Sequence, residues 1–148
     1  MFIESGSEKN NLLTNNLIMR LRSNFRLGAI DVLATGIFTS SPHNMIKGNI
    51  VSGSDYDGIS YVMPFLSWQF GYDRSVCPEG LELLLSQDNM VHSCKRYGFR
   101  LQNYAPRVNP CALARNDSLA DPFSANKPIQ AVFSNFTSSS RSVGVFVQ

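Results

Sequence analysis

The residues best suited to chemistry in this sequence form a basic stretch with aromatic residues between the charges. Residues 89–116 contain no Asp or Glu. The basic residues there are Lys95, Arg96, Arg100, Arg107 and Arg115, and the rings are Tyr97, Phe99 and Tyr104. Guanidinium groups neutralise phosphates, and aromatic rings stack on unpaired bases.

The spacing of the basic and aromatic residues limits what this stretch can bind. On a strand, Arg96 and Arg100 share one face and the aromatic residues take the other. The sequence therefore predicts phosphate contact without base reading, through Lys95, Arg96, Arg100 and Arg107. A solvated basic face is the alternative. A separate basic cluster consists of Arg20, Arg22 and Arg26.

Catalytic groups are scarce. His43 and His92 are the only histidines, and no serine-hydrolase, zinc-protease, phosphate-loop or dinucleotide motif occurs. His92 and Cys94 lie two residues apart, on one face of a strand, but such a pair is not by itself an activated dyad. We expect a protein that is not an enzyme and has no catalytic residue.

An oxygen-ligand metal site is the other option for chemistry. Asp55, Asp57 and Asn49 lie near Gly58 but lack the spacing of a calcium-binding loop. Carboxylates in such a loop usually accept hydrogen bonds from the amides of the turn itself. We expect no metal and no cofactor.

The composition describes the surroundings of these residues. The chain has 148 residues, a charged fraction of 16% and a net charge of +2. Its three cysteines, Cys77, Cys94 and Cys111, are odd in number and lack Cys-x-x-Cys spacing, so we expect free, buried thiols and a reduced, intracellular setting. No apolar run approaches the roughly 20 residues that span a bilayer, so no membrane contact is expected.

The segments that must position these residues show the two-residue hydrophobic period of β-strands. Ile30, Val32, Ala34 and Phe38 are predicted to face a core, with Asp31 and Thr35 facing out. Residues 94–101 form a second half-buried strand, whereas residues 11–22 fit a helix or a strand equally well. No internal repeat is visible. Residues 1–11 are predicted to be a polar arm, ordered only if something holds it, and residues 12–148 a single domain.

Seven or eight short strands separated by turns predict an all-β fold, an antiparallel β-sandwich or jelly roll with at most one or two short helices. Residues 25–48 have the sequence FRLGAIDVLATGIFTSSPHNMIKG, and residues 60–70 have the sequence SYVMPFLSWQF. These two stretches resemble capsid proteins of picorna-like icosahedral viruses. The terminal Gln148 is similar to the residue after which the polyprotein proteases of such viruses cut.

The resemblance implies a jelly roll that tiles a shell and turns a partly basic face towards the genome. The expected function is a non-catalytic structural subunit of a virion or similar assembly, assembled in the host cytoplasm. Its partners would be copies of itself and other structural subunits, with non-specific nucleic-acid contact through phosphates. The alternative is a monomeric β-sandwich or barrel module that binds a small molecule or glycan, with Trp68, Tyr61 and Tyr72 as stacking rings.

Overall fold

Short strands that all run parallel build this protein. The computed structural model describes residues 1–23, 34–64, 75–111 and 127–148. In those ranges there are thirteen strands and one short 3-10 helix, Pro78–Gly80. The strands are β1 (Phe2–Ile3), β2 (Leu12–Thr14), β3 (Leu17–Met19), β4 (Ile37–Thr39), β5 (Met45–Lys47), β6 (Ile50–Ser52), β7 (Ile59–Val62), β8 (Leu85–Gln87), β9 (Met90–Cys94), β10 (Tyr97–Gln102), β11 (Phe133–Ser134), β12 (Thr137–Ser140) and β13 (Val143–Val147).

The strands form three sheets that wind as a β-solenoid. The first sheet has the order β1-β4-β7-β10-β13, the second β11-β8-β5-β2 and the third β12-β9-β6-β3. Each coil contributes one strand to each sheet, so the described residues give four complete coils and the first strand of a fifth. The first strand, β1, pairs with β4, and this pairing holds the start of the chain against the second coil.

The prediction of an antiparallel sandwich or jelly roll is therefore wrong, although the prediction of a β-rich fold is right. Alternating hydrophobicity reports that a segment is a strand, but not in which direction its neighbour runs. Alternation also does not show where a strand is interrupted: residues 45–52 form two strands, β5 and β6, separated by a corner at Gly48 and Asn49. Residues 11–22 likewise contain β2 and β3 and no helix.

The core consists of inward side chains stacked coil upon coil. Ile37, Ile59 and Phe99 lie in register on the first sheet, and Val51 and Val91 lie in register on the third. The predicted facing of residues 30–38 is wrong where it can be compared: Thr35 is buried, and Phe38 lies half-exposed beside the Phe2 ring. Ile30, Asp31 and Val32 lie outside the described residues.

An asparagine ladder fixes the corner between the second and third sheets. The Asn16 side-chain amide donates to Asn49 Oδ1 at 2.8 Å, and the Asn49 amide donates to Asn89 Oδ1 at 3.1 Å. The residue before each of these asparagines has a positive φ, a conformation that Asn, Asp and Gly tolerate best: Asn15 (54°), Gly48 (66°) and Asp88 (56°). The ladder pairs are separated by 33 and then 40 residues. Because coil length changes, the sequence shows no fixed repeat.

A glycine column occupies the corner between the third and first sheets. A Cβ atom built on Gly36, Gly58 or Gly98 would overlap the side chain of Val51, Val91 or Ser138, respectively. These partners are inward residues of the third sheet. The corner can close this tightly only because these positions carry no side chain.

A disulfide joins the two long connections between the first and second sheets. Cys77 follows β7 and Cys111 follows β10, and their Cα atoms are 5.4 Å apart. The Ala105 amide donates to the Glu79 carbonyl at 2.8 Å, so the connections are also joined by backbone. The prediction of free thiols is thus wrong for Cys77 and Cys111 and right for Cys94, which is free and buried. The two half-cystines are 34 residues apart, and only coil stacking brings them together.

Among the residues described, no helix has the length and apolar character needed to cross a membrane.

The glycine column predicts a position-dependent cost of adding a methyl group. Gly58→Ala would press a Cβ onto Val91 and to 2.5 Å from the Gly98 carbonyl oxygen, and we expect a loss of about 3 kcal/mol in unfolding free energy. Gly144→Ala is the matched control, because its nearest atom is at 3.2 Å and we expect a loss below about 1 kcal/mol. Urea unfolding measures both variants. Equal losses would contradict the close approach at Gly58.

The disulfide predicts selective thiol labelling. Without reductant, alkylation in denaturant should label Cys94 alone, and with reductant it should label all three cysteines. Cys77→Ser should lower the unfolding free energy by about 3–4 kcal/mol, since the bridge closes a loop of 34 residues. Mass spectrometry and urea unfolding are the measurements. Three labelled cysteines without reductant would show that the bridge does not form.

Candidate functional site

Basic side chains stack along the corner between the third and first sheets. This basic corner consists of Arg20, Arg22, Lys95, Arg96 and Arg141. Backbone hydrogen bonds between neighbouring coils fix the stacking. The backbone amides of Arg20, Lys95 and Arg141 donate to the carbonyl oxygens of Ser52, Ser54 and Cys94, respectively, at 2.9–3.0 Å. Neighbouring coils are about 4.8 Å apart, so charges from the first, third and fourth coils lie within roughly 15 Å along the solenoid axis.

Asp55 is the acidic centre of this corner. Its carboxylate lies 2.8 Å from Lys95 Nζ and 2.9 Å from Arg22 Nη1, and it accepts the Ser23 amide at 3.1 Å. These contacts, with Lys95 the largest, lower the pKa of Asp55 from its ordinary value of 3.8 to about 2. Asp55 therefore joins two basic clusters that are far apart in the sequence.

Asp57 lies beneath the corner and is only 1% exposed. It accepts hydrogen bonds from the Ser60 hydroxyl at 2.9 Å and the Tyr97 amide at 3.3 Å, and Arg100 Nη1 lies 3.7 Å away. Burial is the largest effect on this carboxyl and raises the pKa of Asp57, against the opposing pull of its donors and of Arg100. Arg100 is accordingly a counter-ion of the interior, and it also donates to Gln102.

Arg96 is held by aromatic rings instead. Its guanidinium lies 4.6 Å from the Tyr56 ring centre and 4.5 Å from that of Tyr97. No ion pair to Arg96 occurs within the described part of the chain. Cation–π contacts thus fix the position of this guanidinium and leave its charge without a carboxylate.

The structure brings three of the four predicted basic residues together. Lys95, Arg96 and Arg100 lie at or beside the basic corner, whereas Arg107 lies in the connection after β10, where its amide donates to the Gly80 carbonyl. Their contact with phosphate stays a prediction. Aromatic residues do not all take the opposite face: Phe99 is in the core, but Tyr97 packs against Arg96.

Sequence reasoning missed Arg141 and the union of Arg22 with Lys95. Arg141 follows β12 directly, as Lys95 follows β9, so both occupy the same corner in successive coils. Recognising the coil as the repeating unit would have aligned these residues. Without it, they are 46 positions apart in a sequence of irregular spacing.

The other candidate groups do not form sites in the described part of the chain. Tyr61 is a fully buried core residue, and Trp68 and Tyr72 lie outside the described residues. His92 Nδ1 is hydrogen-bonded to the Ser93 hydroxyl at 3.1 Å. Burial raises the pKa of the Cys94 thiol. Asn49 belongs to the asparagine ladder, at a different corner from Asp55 and Asp57. No group of three or more metal-binding side chains occurs in the described ranges.

Comparison with known proteins finds similarity to segments of Fibrocystin-L. The chain is 31% identical to the protein from Homo sapiens over 106 residues, which is 71% of this chain and 2% of that protein. It is 26% identical to the protein from Mus musculus over 138 residues, which is 92% of this chain and 3% of that protein. The chain thus spans no more than 3% of the length of either relative. No family model and no solved structure matches.

These findings correct the capsid-protein resemblance, which is wrong. The similarity is to a segment of Fibrocystin-L, and the fold has parallel sheets stacked in a solenoid. The stretches quoted for the resemblance show only alternating hydrophobicity and a proline, sequence features that jelly rolls and solenoids share. The expectation of a virion therefore loses the support that the resemblance gave it.

The Asp55 contacts predict a specific acid sensitivity. Because the pKa of Asp55 is lowered in the folded protein, its contribution to stability is present above its ordinary value of 3.8 and is lost as the pH falls to about 2. Asp55→Asn lacks this contribution. The gap in unfolding free energy between wild type and Asp55→Asn should therefore narrow from about pH 5 to about pH 2. The pKa of Asp57 is raised, so its effect on stability has the opposite pH dependence. Because Asp57 is present in both proteins, this effect cancels from the gap. Urea unfolding at several pH values measures the gap, and a constant gap would contradict the Asp55 ion pairs.

Proposed function

We propose that this protein is a non-catalytic β-solenoid module that binds an acidic polysaccharide along its basic corner. The observation that carries the proposal is Arg96, a guanidinium held against two rings and free of an ion pair in the described residues, within a stack of basic residues. A side chain held in this way has little conformational entropy left to lose when it binds an anion.

The arrangement of the charges supports a polymer over a small anion. The basic corner runs along the solenoid axis, and its members come from the first, third and fourth coils. Coils repeat at about 4.8 Å, so a chain carrying sulfate or carboxylate groups can meet several of them in one extended pose. Each contact releases condensed counterions, which makes such binding strongly salt-dependent.

Polysaccharide is favoured over nucleic acid on two grounds. Base stacking needs an open ring face, but the Tyr97 ring contacts Arg96 and stacks on Phe146 with ring centres 4.6 Å apart. The Cys77–Cys111 disulfide is also typical of oxidising compartments, including the cell exterior, where acidic polysaccharides occur. Non-specific phosphate contact through Lys95 and Arg96 is the competing prediction, and the same experiment decides between the two.

The test is binding of a fluorescent heparin oligosaccharide, measured by anisotropy at several salt concentrations. Arg96→Gln and Arg141→Gln should each weaken binding about tenfold and lower the salt slope by roughly one unit. Lys9→Gln is the control, because it removes the same charge from the connection between β1 and β2, away from the basic corner. Asp55→Asn should strengthen binding, since it releases Arg22 and Lys95 from their ion pairs.

Two outcomes would overturn the proposal. One is equal binding by Arg96→Gln and Lys9→Gln, which would make the basic corner a solvated face. The other is tighter binding of a random-sequence single-stranded DNA than of heparin at the same salt concentration, which would indicate that the basic corner binds nucleic acid instead of a polysaccharide.

A further inference from the structure

Two Asn-x-Ser/Thr triplets, the acceptor sequence for N-linked glycans, occur in this chain. They are Asn116-Asp117-Ser118 and Asn135-Phe136-Thr137. The first lies outside the described residues. The second spans the corner between the second and third sheets in the fourth coil, where β11 ends and β12 begins. Asn135 and Thr137 are both exposed, so the acceptor amide and the hydroxyl two residues later are accessible on the folded protein.

The fourth coil differs from the other three at the residue that follows this corner. In the first three coils that residue is apolar and lies in register with its counterparts: Leu17, Ile50 and Met90. Thr137 takes the same position in the fourth coil, in register with Met90. The positive φ of Asn135, 47°, explains an Asn at the corner. It does not explain a hydroxyl two residues later.

Asn135 also differs from the asparagines of the ladder. In the fourth coil the ladder position is taken by Phe136, whose ring packs on Phe99 with ring centres 4.8 Å apart. The Asn135 side chain instead donates from Nδ2 to Asp88 Oδ1 at 2.7 Å, in a hydrogen bond at the surface. A side-chain amide has two N–H groups, and a glycan replaces one of them. The other can still donate to Asp88, so the folded corner accommodates the modified residue.

We propose that Asn135 is an N-glycosylation site. Asn135 Nδ2 forms a bond to C1 of the first sugar of an oligosaccharide that is carried on a lipid pyrophosphate. The bond between C1 and the pyrophosphate oxygen breaks, and the lipid pyrophosphate leaves with the bonding electrons. A base of the transferring enzyme takes the amide proton. Thr137 supplies the hydroxyl by which the acceptor sequence is recognised.

Glycan transfer of this kind requires passage through the secretory route. The Cys77–Cys111 disulfide supports such a route independently, because structural disulfides form in oxidising compartments. A glycan is bulky and belongs on the surface. Asn135 lies at a different corner from the basic corner, so this proposal stands or falls independently of polysaccharide binding.

The test is site mapping on the full chain, expressed in cultured eukaryotic cells behind a cleavable secretion signal. Peptide N-glycosidase converts a glycosylated Asn into Asp. In heavy-oxygen water this conversion is distinguished from earlier deamidation, and tandem mass spectrometry identifies the residue, so Asn116 and Asn135 are read separately. Asn135 of the wild type should carry the label, in protein from the medium and from the cell lysate.

Two substitutions at one exposed position provide the matched comparison. Thr137→Val removes the hydroxyl with little change in volume and should abolish labelling of Asn135, whereas Thr137→Ser keeps the hydroxyl and should retain it. Alkylation of Cys94 alone, in denaturant without reductant, shows that each variant has formed the Cys77–Cys111 bridge. An unlabelled Asn135 in the wild type from both sources would overturn the proposal, and so would labelling of Asn135 that persists in Thr137→Val.

Discussion

Parallel stacking of one coil on the next is the constraint on which this structure depends. Every backbone ladder runs between residues one coil apart, so a side chain's neighbours are those at the same position in the coils on either side. The interior must then be narrow and uniform. The asparagine ladder satisfies polar groups at one corner, and the glycine column permits close approach at another. Both features are repeated because the stacking is repeated.

The same constraint creates the candidate site. Asp55 meets Arg22 across 33 residues and Lys95 across 40 because the three occupy one corner in successive coils. Opposite charges at this corner neutralise one another only in part, since five basic residues share it with one partly exposed carboxylate, which pairs with two of them. The buried Asp57 is matched by Arg100 and adds no negative charge to the surface. A net positive edge therefore results from register alone.

Strand content and the local basic stretch could be predicted from the sequence, since both depend on neighbouring residues. The strand at Tyr97–Gln102 and the proximity of Lys95, Arg96 and Arg100 follow from alternation. The parallel direction, the corner at Gly48 and the Cys77–Cys111 bridge could not be predicted, because their partners lie 33 or more residues away at spacings that change from coil to coil. Thr35 was predicted to face out, but it is buried. It lies just before a tight corner, where the path of the coil decides which side chains are buried and the alternation of the sequence does not.

The solenoid separates the variable parts of the coil from its constant parts. Long connections leave from the first sheet after β7 and β10, and the disulfide ties those two together. The corner between the second and third sheets keeps two residues in all four coils, so no insertion interrupts it. The exposed side chains of Leu17, Ile50 and Met90 lie directly beside this constant corner, in register with one another. Because the corner has the same length in each coil, the strand positions on either side of it repeat at the coil spacing of about 4.8 Å.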